Sequence, residues 1–73
     1  MNEKTEMMAD MVKNLTLMLW EQDKGLTMEQ ALSMVFNSDT YRKVMDERTR
    51  FYYQSPKYVF AFLEEEMKNG KFS

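Results

Sequence analysis

Apolar positions recur every three or four residues through most of the chain, the period of an α-helix that packs on one side. Between Glu3 and Asp23, the residues Met7, Met8, Met11, Val12, Leu15, Met18 and Leu19 fall within one arc of about 140° on a helical wheel. They predict a long first helix with that arc against a core. Gly25 follows Asp23-Lys24, the place where a helix closes on a left-handed residue. Thr27-Met28-Glu29-Gln30 has the form of a capping box, so a second helix starts at Thr27. Its inner face is read as Met28, Ala31, Leu32, Val35 and Phe36. Asn37-Ser38-Asp39 ends it and caps a short third helix, about Asp39 to Asp46, whose apolar residues are Tyr41, Val44 and Met45.

The pattern changes after Asp46. Thr49 to Tyr53 is β-branched and aromatic, so this stretch is read as an ordered loop. The alternative is an edge strand that pairs between two copies. Ser55-Pro56 is an N-cap followed by proline at the first helical position. It opens a fourth helix that runs to about Asn69 and stops at Gly70. Tyr58 to Leu63 is apolar at six consecutive positions. A helix apolar all round must be enclosed on every side, either by its own fold or by a second chain near Phe60. The expectation is one all-α domain spanning residues 1–73, a compact bundle of three longer helices and one short one.

Composition narrows the chemistry. The chain has no histidine and no cysteine. The commonest general base, the thiol nucleophile and the two commonest transition-metal ligands are therefore missing. Ser33 and Ser55 have no histidine to activate them. In Glu64-Glu65-Glu66, neighbours point about 100° apart on a helix, so the run reads as a solvated face. The reading is no enzyme, no cofactor and no metal site. Disulfides are excluded as a means of supporting a core this small, which leaves a partner chain as the natural addition. The net charge of −2 does not advertise nucleic acid. Met1 to Asp10 is polar and mixed in charge, and no apolar run approaches the length of a membrane span. The expected setting is cytoplasmic.

Two groups of residues are candidates for contact. Leu17 and Trp20 lie outside the Met/Leu arc of the first helix, three residues apart. With Phe51, Tyr52 and Phe60 they form the candidate interface to another protein, either a second copy or a small partner. Arg42, Lys43, Arg48 and Arg50, with Lys57, share a stretch with Tyr41, Tyr52, Tyr53 and Tyr58. Basic groups interleaved with aromatics can hold single-stranded nucleic acid by charge and stacking, which is the alternative reading.

Leu26-Thr27, Ala31-Leu32, Phe36-Asn37-Ser38, Tyr41, Tyr53, Ser55-Pro56, Tyr58-Val59, Leu63 and Glu66 together resemble a group of small helical bacterial proteins found in gut Firmicutes and Bacteroidetes. The likeness runs from about Leu26 to Met67 and consists of caps and core positions. It implies a helical fold and an antitoxin-like or accessory binding role, which as a regulator would touch nucleic acid. It brings no catalytic motif.

Overall fold

Asn2 opens the first helix, α1 (Glu3–Gln22), by accepting the Thr5 backbone N–H on its side-chain oxygen at 2.8 Å. The computed structural model describes residues 2–70, and among them every regular element is helical. The chain is all-α. α2 spans Met28–Phe36, α3 spans Asp39–Val44 and α4 spans Pro56–Lys68. Each start is written in the local sequence. Thr27 Oγ1 accepts from the Gln30 N–H at 3.1 Å, while Gln30 Oε1 accepts from the Thr27 N–H at 2.9 Å. Ser38 Oγ accepts from the Tyr41 N–H at 3.0 Å, and Ser55 Oγ from the Tyr58 N–H at 3.2 Å. Gly70 closes α4 in the left-handed region, with φ 65°.

Gly25 does not close α1 in that way, because among the described residues only Arg50 and Gly70 have positive φ. The reversal is built on Asp23 instead. Its carboxylate accepts from the Gly25 N–H at 3.0 Å and its carbonyl from the Leu26 N–H at 3.2 Å. An aspartate turn needs no left-handed residue.

The stretch after α3 is neither an open loop nor a strand. It forms two single-turn 3₁₀ helices, Glu47–Thr49 and Phe51–Tyr53, hinged at Arg50 with φ 58° and ψ 21°. Polar side chains fold it back. Asp46 caps the first turn at the Arg48 N–H. The Thr49 hydroxyl reaches the carbonyls of Lys43 and Asp46 and accepts from the Phe51 N–H. These local bonds compete with an extended ladder and win, because no neighbouring strand offers the backbone a better partner.

All four α-helices feed one core. Leu15 and Leu19 of α1, Val35 of α2, Val44 of α3, and Val59 and Leu63 of α4 are almost wholly buried. The first-helix arc packs as its spacing predicts, with Met7 and Met18 half-buried at its margins. Buried Thr16 donates to the Val12 carbonyl, and no buried side-chain nitrogen or oxygen among the described residues lacks a partner.

Glu66 departs from the solvated-face reading. From α4 it reaches the start of α3, accepting the Asp39 N–H at 2.6 Å, the Thr40 N–H at 3.0 Å and the Thr40 hydroxyl at 2.7 Å. The first turn of a helix has unsatisfied N–H groups and a positive dipole end, and a carboxylate answers both. Thr40 and Ser38 are buried beneath it. Glu66 therefore joins two helices that are far apart in sequence.

Candidate interaction surface

α2 packs on α1 and α3, and its orientation differs from the expected one. Ala31 and Val35 are buried, and Met34, on the side opposite the predicted centre, packs against the core. The helix is thus rotated, and Met28, Leu32 and Phe36 come to the surface with 39, 37 and 49 % of their area exposed. With Met34, six apolar residues on nine positions spread over about 200°, too wide an arc for one covering neighbour. The small Ala31 and β-branched Val35 permit close approach and take the inside. At spacing i, i+4, i+8, the other three stand one above another along a single ridge.

The ridge continues beyond the helix. Phe36 meets Tyr41 edge to face, with ring centroids 5.0 Å apart. The Met45 N–H bonds the Tyr41 carbonyl one turn later, and Met45 is 43 % exposed. Met28, Leu32, Phe36 and Tyr41 make an apolar strip across α2 and α3, with exposed Met45 one turn beyond Tyr41. Charge is scarce beside its α2 half, where from Leu26 to Ser38 the one charged residue is Glu29; Asp39, Arg42, Lys43 and Asp46 flank its α3 end.

The five residues proposed as an interface from sequence are dispersed. Phe60 lies in the core, 6 % exposed, so it is not a contact residue. The apolar turn it belongs to is covered on one side only: Val59, Phe60 and Leu63 are buried, while Tyr58 and Phe62 stay 51 and 38 % exposed beside Phe51. Phe51 sits 5.0 Å from the Phe62 ring and 6.4 Å from Tyr58, and Tyr58 and Phe62 are 5.3 Å apart. The Lys43 ammonium lies 5.9 Å from the centroids of both Phe51 and Phe62. Phe51 and Tyr52 are half-buried against the core. Leu17 is half-buried, and Trp20 is exposed beside a small depression that it lines with Glu21 and Lys24.

The basic segment is also divided. Arg42 pairs with Asp39, and Arg48 with Asp46 at 3.0 Å. Lys43 covers the aromatic rings. Arg50 makes no ion pair among the described residues and lines an open cleft of about 650 Å³ with Lys4, Glu47, Arg48, Tyr52 and Tyr53. Lys4 bridges to Glu47 across that cleft at 3.0 Å, which holds the ammonium above the ordinary lysine range.

The Arg48 guanidinium bonds, followed by the Arg48 backbone N–H, hold the Asp46 carboxyl below the ordinary aspartate range. A depressed carboxylate contributes above its unfolded value, and the contribution is lost as pH falls through the folded one. The 46–49 turn is therefore expected to loosen only below about pH 4. A carbon-detected NMR titration should place the Asp46 midpoint below that of the same residue in Arg48→Ala.

Of the strip residues, only Tyr41 entered a candidate contact in the sequence, as an aromatic beside the basic residues, and none was expected at a protein interface. The available signal was that α2 carries more apolar residues than one neighbour can cover. No helix among the described residues is long and apolar enough to cross a membrane. Compared with protein-family models, curated proteins and solved structures, the chain matches none.

Proposed function

We propose that this protein is a non-enzymatic protein-interaction module, and that it binds through the apolar strip on α2 and α3. The strip itself carries the reading. Met28, Leu32 and Phe36 stand in one row along α2, each more than a third exposed, with Tyr41 against Phe36 and exposed Met45 one turn further on; apolar residues grouped in water in this way mark contact sites. Methionine and aromatic side chains with few charges nearby match the composition of interface centres. The antitoxin-like or accessory role implied by the sequence resemblance fits a protein that acts by binding alone.

Nucleic acid has weaker support. Two of the four basic candidates are paired with carboxylates, Lys43 is engaged with rings, and Glu3 and Glu47 share the cleft that Arg50 lines. A phosphate backbone approaching there would meet carboxylates as well as cations.

The test is affinity capture with three tagged forms: wild type, Leu32→Glu and, as a control far from the strip, Glu64→Gln. The expected result is a specific protein, either the same chain or another, retained by wild type and Glu64→Gln and lost by Leu32→Glu. Equal capture by all three would overturn the reading.

A further inference from the structure

Resting on that reading, we infer that the partner seated on the strip is a second copy of this chain, joined through α2 in an antiparallel pair about a two-fold axis. The spacing of the ridge is the first argument. Leu32 is the midpoint of α2 (Met28–Phe36), with Met28 and Phe36 four residues to either side. Four residues are about 6 Å along a helix. A two-fold axis through Leu32 therefore sets Leu32 against its own copy and each Met28 over the partner's Phe36. A two-fold contact requires this kind of self-complementarity, in which i meets j and j meets i. Thioether on aromatic ring is a favourable pairing, and a flexible methionine adapts to the flat face.

Charge points to the same partner. The strip contains no charged residue, so it asks for an uncharged surface in return, and its own copy offers one. Glu29 lies three residues from the midpoint. In the pair, the two Glu29 carboxylates are displaced in opposite directions along the axis, about 9 Å apart before any sideways separation, so they do not collide. Antiparallel helices also place the positive end of one dipole beside the negative end of the other.

The strip is the centre of such a contact and not the whole of it. A stable pair needs about 800 Å² from each partner, with an apolar centre and a polar rim. The strip supplies the centre, and Glu29, Ser33 and Asn37 stand beside it as rim. The surface is also held in shape before contact. Asn37 Nδ2 donates to the Ser33 carbonyl at 2.9 Å, and Phe36 rests on Tyr41, so little order remains to be imposed on binding.

The absence of cysteine makes a direct test available. Helices packed 8–10 Å apart bring residues on the two-fold axis to a Cα separation of about 4–6 Å, within reach of a disulfide. Leu32→Cys is expected to cross-link to itself under mild oxidation. An equal mixture of Met28→Cys and Phe36→Cys should cross-link to each other in preference to themselves. Light scattering on wild type should rise from 8.8 kDa towards twice that mass with concentration. Leu32→Glu should weaken association at least about a hundredfold, since it buries two facing carboxylates. Leu32 is partly exposed, so unchanged helical content and melting in that variant show that folding is not the cause.

A wild-type chain still monomeric at about 1 mM would overturn the inference. So would Met28→Cys and Phe36→Cys each preferring itself, which describes a parallel pair. If the chain is monomeric and Leu32→Glu nonetheless loses a different captured protein, the second copy falls while the interaction reading stands.

Discussion

Phe60→Ala is expected to cost about 3–5 kcal/mol of folding stability, the ordinary loss when a buried phenylalanine is truncated. Phe60 is 6 % exposed and lies in one cluster with Leu15, Leu19, Val59 and Leu63. A chain of this length has roughly 4–10 kcal/mol in all, so the variant should be partly unfolded at 37 °C. Urea and thermal unfolding followed by circular dichroism measure it directly. Trp20→Ala is the comparison. Trp20 is exposed, and its loss should stay within about 1 kcal/mol. If Phe60→Ala melted like wild type, the core described here would be wrong at its centre.

Glu66→Ala should have the second-largest effect, about 2–4 kcal/mol, because three bonds to a carboxylate vanish and the start of α3 is left without them. For a domain of this size that corresponds to a melting point lowered by roughly 10–30 °C. Glu66→Gln keeps one acceptor oxygen and loses the charge, so it should fall between the two. Glu65→Ala, one residue away on the exposed side, should change little. Identical melting of the Glu65 and Glu66 variants would return the whole glutamate run to the status of a solvated face.

These two residues show where sequence reasoning works and where it stops. Phe60 and Glu66 both lie on a correctly expected helix, yet both were given the wrong surroundings. Six apolar positions in a row said that α4 needs covering on every side. They did not say that Val59, Phe60 and Leu63 would take the inside, or that Phe51, nine residues earlier than Phe60, would pack on Tyr58 and Phe62 and leave both partly in water. Glu64, Glu65 and Glu66 are chemically alike, and only the arrival of α3 beside the third one distinguishes it. The same holds for the basic residues: Arg42 and Arg48 find Asp39 and Asp46 nearby in sequence, whereas Lys43 finds its rings only once α4 is packed.

The α2 ridge is the instructive case for function. Five of its six apolar residues were read as facing inward. The inside took Ala31 and Val35, with Met34 at its edge, and Met28, Leu32 and Phe36 were turned outward. Periodicity measures how apolar residues are spaced around a helix axis. It cannot choose which part of a broad arc a neighbour will cover, because that depends on the shape of the neighbour.

Sequence alone determined the helical class, the helix starts and the inner face of α1. Each of these rests on interactions within about four residues, namely Asn2, Thr27, Ser38 and Ser55 capping their own first turns and a strict spacing along one axis. Only the tertiary structure decided the rotation of α2, the packing of Phe51 on one side of α4, the clamp of Glu66 on α3 and the apolar strip left in water. All four depend on which residues distant in the chain come to lie beside one another, and local spacing carries no record of that.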